Sequence, residues 1–504
     1  MQYLLGVDVG STNLKAVAYD FTGRILAEAR RSAKTYYLQD GWAELDPLEL
    51  WQGVAAALRE VTATLQGAIC LGVGIASNGE DCFVDAQGNP VCRALRWFDT
   101  RTTGIAKAWE AFGYERVYAI TGIRPNPVAG ITKLQWIKTH DPEAYQHGRF
   151  WISMQGFVSM RLTGVATTSW TNACRTMAFD LQTRDWSETI LQAAGIPKTL
   201  FPQPVRPGSL LGKVHVEASQ ITGLPSGTPV YAGGVDYACG ALATGILQTG
   251  QLLDSTGTSE EIVALVDTPQ ANPAYMDENF TSVCYVANDK YYLMGLIVAA
   301  GGIFEWLRRT FANVSFTELM EEAKAMPIGS HGVMMMPHFS GRHTLGNDPL
   351  ARGAFLGLTR SVKRGDIVRA MLEGLCFEMR EIIDKAQEIS DSFITSIYAI
   401  GGAAKSPFWL QMKADVSGLQ VHHRHVREAA ALGAAMLAGL GCGVYANAEA
   451  AVRQVSAKLP ETIYTPNAVC HEAYLKLYSL YKKLYPTLKT WNREVAAMQV
   501  YLHT

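Results

Sequence analysis

The sequence has no excess of charge of either sign. Its 504 residues include 44 lysines and arginines against 46 aspartates and glutamates, a formal net charge of −2. Because no basic excess is present to neutralise a phosphate backbone, we expect no nucleic-acid partner. Charged residues make up only 18% of the chain, below the quarter or so that is typical, which indicates a large interior relative to the surface.

The chain also lacks paired cysteines and long apolar runs. Its nine cysteines are widely spaced and include no Cys-x-x-Cys pair, so we expect reduced thiols rather than disulfides or a zinc site. The N-terminus has no basic signal-peptide segment. The apolar stretch 291–304 is too short to span a bilayer, and 429–446 is mostly alanine and glycine, which favours a buried helix with a glycine stop. We therefore expect a cytoplasmic protein with no membrane partner.

Several common catalytic signatures are missing. The sequence has no G-x-x-x-x-G-K-[ST] loop, no G-x-G-x-x-G, no H-E-x-x-H and no G-x-S-x-G. P-loop NTPases, dinucleotide-binding Rossmann enzymes, zinc proteases and serine hydrolases are therefore disfavoured. Glycine, in contrast, is abundant at 46 residues and shows no period, which indicates tight turns close to ligands or backbone.

The first 76 residues have the pattern of a mixed α/β domain. Three strands joined by tight turns precede a helix that Asp46 caps and Pro47 opens. A continuous apolar run follows, as is typical of a strand buried on both faces. The predicted strands are 3–9, 14–20, 25–33 and 69–76, and the predicted helix is 47–65.

A second strand–turn–strand pattern recurs about half a chain later. Asp8 precedes Thr12 by four positions, and Asp254 precedes Thr258 by the same spacing, 246 residues further on. A weak repeat at half the chain length indicates two similar domains that face each other across a cleft. The predicted domains are residues 1–245 and 246–504.

Two turns rich in glycine and hydroxyl groups are candidates for phosphate binding. The turn 10–13 offers backbone N–H groups and two hydroxyls, with Lys15 on the next strand, and the turn 257–259 is similar. Asp8, at the end of the first strand, could hold Mg²⁺ through water. Each turn is equally compatible with an ordinary hairpin.

Two further segments follow predicted strands. Asp236 comes after a strand that ends in glycines, where a carboxylate can accept a hydroxyl proton; the alternative is a helix N-cap. The segment 401–406 opens a helix, and its glycines would let a flat ring approach the backbone; the alternative is a tight turn. Asp99 and Arg101 are predicted to form an ion pair, either one that positions a functional loop or a purely structural salt bridge. The histidine-rich run 422–425 is predicted to be a packed or solvated strand rather than a metal site.

Taken in order, these segments resemble the FGGY family of carbohydrate kinases. The resemblance is carried by segments 8–15, 41–47, 97–101, 133–136, 233–236, 257–258, 353–373, 401–406 and 428–435. It implies two ribonuclease-H-like domains of the actin-like ATPase type, with ATP and Mg²⁺ in the cleft. The implied reaction is transfer of the γ-phosphoryl group to a sugar hydroxyl.

The resemblance also implies individual roles. Asp236 would be the catalytic base, and Asp8 and Asp236 would form the metal site. The residues implied in ATP binding are Asp8, Gly10, Ser11, Thr12, Asn13, Lys15, Gly257, Thr258, Gly301, Gly401, Gly402, Ala403 and Ser406. Those implied in sugar binding are Asn78, Gly79, Glu80, Trp97, Asp236, Tyr237 and Glu261. A homodimer is the assembly suggested by analogy with the family.

The loop 77–81 bears on the choice of sugar. Xylulose kinases usually carry Met-His in this loop and glycerol kinases Arg-Glu, whereas here Gly79 stands at the arginine place and Glu80 remains. Glycerol kinases also place a tyrosine where this chain has Val128, so glycerol is disfavoured. The carboxylates of Glu80 and Glu261 suit hydroxyl donors and would repel a sugar acid. A neutral ketose such as a pentulose, or a polyol, is favoured; the alternatives are a gluconate-type sugar acid and a non-kinase actin-like ATPase.

Overall fold

Two mixed β-sheets flanked by helices form the frame of the protein. The computed structural model describes residues 1–310, 314–390 and 393–503. The strands of the first half are β1 (Gln2–Val9), β2 (Asn13–Tyr19), β3 (Ile25–Ser32), β4 (Tyr36–Gln39), β5 (Trp42–Leu45), β6 (Ile69–Ser77), β7 (Asp81–Val84), β8 (Ala94–Leu95), β9 (Phe150–Ser153), β10 (Thr167–Ser169), β11 (Phe179–Asp180), β12 (Asp185–Trp186), β13 (Gln203–Val205), β14 (Leu210–Lys213) and β15 (Pro229–Val235). Its α-helices are α1 (Pro47–Thr64), α2 (Thr103–Ala108), α3 (Tyr114–Thr121), α4 (Gly130–His140), α5 (Pro142–His147), α6 (Met154–Thr163), α7 (Trp170–Cys174), α8 (Glu188–Ala194), α9 (Val216–Thr222) and α10 (Asp236–Thr244).

The second half contains the other large sheet and the longest helices. Its strands are β16 (Gln251–Thr256), β17 (Glu260–Val266), β18 (Thr281–Cys284), β19 (Tyr291–Ile297), β20 (Met334–Met336), β21 (Ala354–Leu356), β22 (Ser396–Gly401), β23 (Gln420–Arg424) and β24 (Glu461–Tyr464). Its α-helices are α11 (Pro273–Asp277), α12 (Gly301–Thr310), α13 (Phe316–Lys324), α14 (Arg364–Ser390), α15 (Pro407–Ser417), α16 (Ala429–Gly441), α17 (Ala448–Ser456), α18 (Ala468–Tyr481) and α19 (Leu484–His503). Short 3₁₀ turns lie at Trp109–Ala111, Lys198–Leu200, Ser330–Gly332 and Ala403–Lys405.

The first sheet has the strand order β14-β15-β6-β1-β2-β3. Strand β1 runs antiparallel to β2 and parallel to β6, which confirms the predicted order of three hairpin-linked strands, a helix and a central parallel strand. The Asp46 carboxylate caps α1 as predicted, accepting hydrogen bonds from Leu48 N at 2.8 Å and Glu49 N at 3.3 Å.

The second sheet repeats the central part of the first. Its order is β18-β19-β17-β16-β22-β23-β24, and β16 is antiparallel to β17 and parallel to β22. Asp8 on β1 and Asp254 on β16 therefore occupy equivalent strands, as the half-length repeat predicts. The exact division between residues 245 and 246 stays a prediction.

Helix α16 joins the two halves by packing on the first sheet. A methyl group at Gly6 would lie 1.9 Å from the Ala431 carbonyl oxygen, and one at Gly74 would lie 1.9 Å from the Ala434 carbonyl oxygen. Only glycine lets the strands approach the helix this closely. The predicted buried helix is thus confirmed, and it ends at Gly441. Among the described residues, no helix combines the length and apolar character that a bilayer span requires.

Two smaller predictions concern structural residues. Arg101 pairs with Asp99 at 2.9 Å and with Glu44 at 3.0 Å. Asp99 also accepts a hydrogen bond from Ala43 N at 2.7 Å, so the predicted ion pair is present and connects its loop to β5, as a structural salt bridge would. The histidine-rich run lies largely within β23, which confirms the strand interpretation.

Candidate functional site

The turn between β1 and β2 is closed by its own backbone. Gly10 N donates to Asn13 O at 3.1 Å, and Thr12 is exposed at the tip. Asp8 and Lys15 face each other across the hairpin, with Lys15 Nζ 3.3 Å from Asp8 Oδ2. Burial raises the pKa of Asp8, and the Lys15 ammonium opposes that rise. The turn therefore combines backbone, hydroxyl and charged groups in a small space.

Glu428 enters this site from the second half of the chain. Its carboxylate lies 2.6 Å from Lys15 Nζ and 2.7 Å from Arg30 Nη2. These two cations outweigh the effect of burial and hold the pKa of Glu428 below its usual value. The sequence analysis assigned Lys15 to phosphate and missed this carboxylate partner. The sequence offered one sign of this partner, namely that Glu428 begins the segment 428–435, which resembles a family motif.

Asp236 lies at the junction of β15 and α10. It is the first residue of α10, with Val235 at the N-cap, so the N-cap alternative is wrong. Its Oδ1 accepts a hydrogen bond from Tyr237 N at 2.8 Å. Burial, together with the negative charges of Asp8 and Glu261, raises the pKa of Asp236 to about 7. A carboxylate with a pKa near neutrality is suited to take up a proton during catalysis.

A first cavity of about 340 Å³ opens where these elements meet. It brings together Asp8, Gly10, Thr12, Asn13, Lys15, Asp236, Tyr237 and Glu261, all identified from the sequence. The lining residues that sequence reasoning missed are Gly240, Ser255, Ile400, Ala429 and Ala430. The resemblance alone therefore identified most of the polar groups of this cavity.

A second cavity of about 570 Å³ lies beside the ends of β16 and β22. The residues predicted to bind ATP that line it are Gly257, Gly301 and Gly402. The missed lining residues are Thr256, Phe304, Glu305, Arg308, Ser315, Phe316, Leu319, Lys405 and Trp409. The aromatic residues of its wall lie on three separate helices, so no local sequence motif predicts them.

Backbone hydrogen bonds hold the second cavity in shape. Gly301 N donates to Gly257 O at 3.0 Å, and Gly302 N donates to Thr258 O at 3.1 Å. Gly402 N donates to Thr256 O at 2.7 Å. The two cavities meet at these strand ends, since the neighbours Ser255 and Thr256 line one each.

Three other residues predicted to bind ATP lie in the segment that joins β22 to α15. Gly401 ends β22 with a φ of +89°, and Ala403 begins the following 3₁₀ turn. The Ser406 hydroxyl is buried and caps α15, accepting a hydrogen bond from Trp409 N at 3.3 Å. Ser406 thus orients the helix that carries Trp409.

The predicted sugar loop forms a buried polar network outside the first cavity. Glu80 Oε2 accepts hydrogen bonds from Asn78 Nδ2 at 2.9 Å and Arg96 Nη1 at 3.2 Å. Glu80 Oε1 accepts one from Trp97 N at 3.0 Å. The Ser11 hydroxyl accepts hydrogen bonds from Asn78 Nδ2 at 2.9 Å and Trp97 Nε1 at 3.2 Å. Both Glu80 oxygens are thus occupied by groups of the chain, and Arg96, which sequence reasoning missed, neutralises the carboxylate.

Comparisons with known proteins show which family the chain resembles. Residues 3–243 match the N-terminal domain of the FGGY family of carbohydrate kinases, and residues 252–442 match its C-terminal domain. The xylulose kinase of Bacillus subtilis is 30% identical over 501 residues, covering 98% of this chain and 98% of that protein.

Solved structures show the same similarity. A ligand-bound xylulose kinase from Lactobacillus acidophilus has a TM-score of 0.90 at 25% identity, covering 98% of this chain and 100% of that one. A gluconate kinase from the same organism has a TM-score of 0.88 at 25% identity, covering 97% and 98%. With both family domains matched and two actin-like halves enclosing the cavities, the chain belongs to the FGGY family of carbohydrate kinases, which transfer a phosphoryl group from ATP to a sugar.

Proposed function

We propose that this kinase phosphorylates a hydroxyl of a small neutral sugar, a ketose such as a pentulose or a polyol, with Asp236 as the general base. The observation that carries the proposal is the single cavity in which Asp236 faces the turn 10–13 and Glu261. The similarity to xylulose kinases supports a pentulose. The gluconate kinase among the solved structures makes a sugar acid the second candidate.

The reaction needs few groups from the chain. Asp236 accepts the proton of the sugar hydroxyl while the oxygen of that hydroxyl forms a bond to the γ-phosphorus of ATP. The bond from that phosphorus to the bridging β–γ oxygen breaks, and ADP leaves with the electron pair. The backbone N–H groups of the turn 10–13 and the Lys15 ammonium stabilise the negative charge of the phosphates.

We further propose that the first cavity takes a divalent cation held largely through water, because the described residues include no group of three ligating side chains arranged to hold a metal ion by themselves. Asp8, Asp236 and Glu261 present carboxylates to one cavity, and the charges of Asp8 and Glu261 raise the pKa of Asp236. Carboxylate oxygens are the ligands that Mg²⁺ takes in phosphate sites. We assign Asp8 and Asp236 as the residues that would hold it. When bound, Mg²⁺ would neutralise charge on the phosphates of ATP.

The second cavity suits the adenosine end of ATP. Phe304, Phe316, Leu319 and Trp409 provide apolar walls, against which a flat purine can stack. The cavity adjoins the phosphate turns through Thr256 and Gly257. We therefore place adenosine here and the triphosphate toward the first cavity.

Gly402→Leu is expected to raise KM for ATP at least about tenfold. A methyl group at Gly402 would meet only the Thr256 carbonyl oxygen, at 3.7 Å, so the backbone tolerates the change while the rest of the side chain enters the second cavity. Steady-state kinetics with varied ATP would measure this. Gly104→Leu, at a position with open space, is the matched control. An unchanged KM for ATP in Gly402→Leu would exclude this placement of adenosine.

An acceptor panel tests the proposed function directly. ADP release is measured with ketoses, the matching polyols and sugar acids, at saturating ATP. We expect a neutral ketose to stimulate ADP release most strongly. If no acceptor stimulates release by a protein that binds ATP, the proposal is wrong, and if only sugar acids do, the second candidate replaces it. The division into domains 1–245 and 246–504 and the homodimer are further proposals, testable by limited proteolysis and light scattering.

A further inference from the structure

Arg175 is a half-buried cation that the proposed mechanism does not use. It follows the last residue of α7 directly, and its side chain is neither fully exposed nor fully buried. Among the described residues, no carboxylate lies within ion-pair distance of its guanidinium, and no acceptor lies within hydrogen-bond distance. A guanidinium that is partly withdrawn from water and has no partner within the chain leaves N–H groups available to a ligand.

Helix α7 holds Arg175 between the catalytic strand and the sugar loop. The Thr171 hydroxyl accepts a hydrogen bond from Val235 N at 3.0 Å, one residue before Asp236. Asn172 Nδ2 donates to Ser77 Oγ at 3.1 Å, at the start of the sugar loop. The short helix is thus pinned to both strand ends, which determines where Arg175 can reach.

The Arg175 side chain lies against Gly79. A methyl group at Gly79 would lie 3.0 Å from Arg175 Nε and 3.3 Å from its Cγ. The guanidinium group therefore lies where a side chain at position 79 would extend. A bulky residue at Gly79 and the observed position of Arg175 exclude each other.

The surroundings of Arg175 are polar and contain the proposed base. The positive charge of Arg175 acts to lower the pKa of Asp236, of Asp81 and of Tyr237. The hydroxyl oxygens of Tyr237 and Tyr292 lie 2.6 Å apart, and the electrostatic influence of both tyrosines acts to raise the pKa of Arg175. Burial and the Arg175 charge lower the pKa of His343 to about 4, so that imidazole is neutral. Arg175 is thus a cation without an ion-pair or hydrogen-bond partner within the described ranges whose charge acts on Asp236.

Resting on the proposed function, we infer that Arg175 binds the acceptor sugar and selects sugars that present an oxygen without a proton, a ketose carbonyl or a sugar-acid carboxylate, over polyols. A guanidinium donates up to five hydrogen bonds and accepts none. A carbonyl or carboxylate oxygen matches it without having to direct a proton elsewhere, and a carboxylate can take two of its N–H groups at once. Glu80 does not oppose such a ligand, because Arg96 already neutralises its carboxylate.

The test compares a ketose with the polyol of the same carbon skeleton and with the matching sugar acid. In Arg175→Met, kcat/KM for the sugar with the unprotonated oxygen should fall about 10- to 100-fold. The value for the polyol, measured as a substrate or from its inhibition constant, should change little. Arg175→Lys keeps the charge but not the planar fork and should recover part of the preference. Whether the unmodified protein prefers the ketose or the sugar acid shows whether the oxygen that Arg175 binds belongs to a carbonyl or to a carboxylate group.

The controls separate recognition of sugar from damage to the fold. Arg24→Met, in an exposed turn, is the matched loss of an arginine, and both Arg175 variants should keep the KM for ATP of the unmodified protein. An unchanged ratio of ketose or sugar-acid to polyol kcat/KM in Arg175→Met would overturn the inference and leave the proposed function standing. If that variant does not fold, the same ratio in Arg175→Lys decides. Turnover of no acceptor by the unmodified protein would overturn both.

Discussion

Replacing Asp236 by asparagine should lower kcat for sugar phosphorylation by about 10²- to 10⁴-fold while ATP still binds. The amide has nearly the shape of the carboxylate but cannot take the proton of the sugar hydroxyl. Burial and the charges of Asp8 and Glu261 raise the pKa of Asp236 to about 7, which makes its carboxylate a stronger base toward that proton. Because the second cavity is lined by other elements, the binding of adenosine should persist.

Two measurements on the Asp236→Asn protein test this result. Initial rates of ADP release with the best acceptor give kcat, and a fluorescent ATP analogue gives the nucleotide affinity. Asp40→Asn, in an exposed turn, serves as the control for the loss of one carboxylate. Retention of full activity in Asp236→Asn would remove Asp236 from its proposed role, whereas loss of nucleotide binding would show that the substitution perturbs more than proton transfer.

Replacing Lys413 by methionine should destabilise the second half of the chain by about 3–5 kcal/mol. The Lys413 ammonium is completely buried; it forms an ion pair with Asp254 and lies 3.0 Å from Glu260 Oε1. It also donates to Thr256 Oγ1 at 2.9 Å. Although burial alone would lower the pKa of Lys413, the attraction of Asp254 and Glu260 raises it. Methionine would leave the buried Asp254 without its cation and Glu260 without its hydrogen-bond donor.

Glu260 shows the consequences of this crowding most clearly. Burial and the nearby Asp254 charge raise the pKa of Glu260 to about 8 even with Lys413 present. Its Oε2 is buried without a hydrogen-bond partner among the described residues. Removing the lysine therefore takes away the interaction that compensates the burial of both acids.

Denaturant unfolding of three proteins tests the prediction. Lys413→Met should unfold at a clearly lower denaturant concentration than the unmodified chain. Combining it with Asp254→Val and Glu260→Met should recover most of the loss, since apolar side chains in place of a buried ion cluster are often neutral. Lys476→Met, in an exposed pair with Glu472, should show no measurable change. If Lys413→Met unfolds like the unmodified protein, the cluster is not a source of stability.

The cluster also bears on nucleotide binding. The Thr256 hydroxyl accepts a hydrogen bond from Lys413 Nζ, and the Thr256 carbonyl oxygen accepts one from Gly402 N at 2.7 Å. These contacts support the end of β16 from which the second phosphate turn begins. A rise in KM for ATP in Lys413→Met should therefore accompany the loss of stability, and the apolar triple variant should restore stability more fully than nucleotide affinity.

Much of the fold follows from interactions between residues close in the sequence. The strands β1 to β3, the cap of α1 by Asp46 and the apolar strand β6 were all predicted within a few residues of their observed ends. Hairpin turns, caps and buried strands leave such patterns because their partners lie a few positions apart. The motif segments likewise singled out Asp8, Asp236 and residues of the turn 10–13, which the structure brings to one cavity, while their roles stay predictions.

Other features depend on residues that come together only when the two halves pack. Lys15 forms an ion pair with Glu428, more than 400 positions away in the sequence. Lys413 lies on α15, whereas its acidic partners Asp254 and Glu260 lie on the neighbouring strands β16 and β17. Side chains of separate helices form the walls of the second cavity. Contacts of this kind have no fixed spacing, so no local period or motif reports them.

The sequence by itself therefore determined the family and the order of the strands that open the first sheet, and it predicted the chemical types of the reacting groups. The tertiary structure decided which partners the polar side chains near the cavities contact. It showed that the Glu80 oxygens are already bonded to Arg96, Asn78 and Trp97, and that Arg175 lies beside Gly79 without a partner among the described residues. The physical reason is that a charge is neutralised by whichever partner lies within a few ångströms in space, and distance along the chain does not specify that partner.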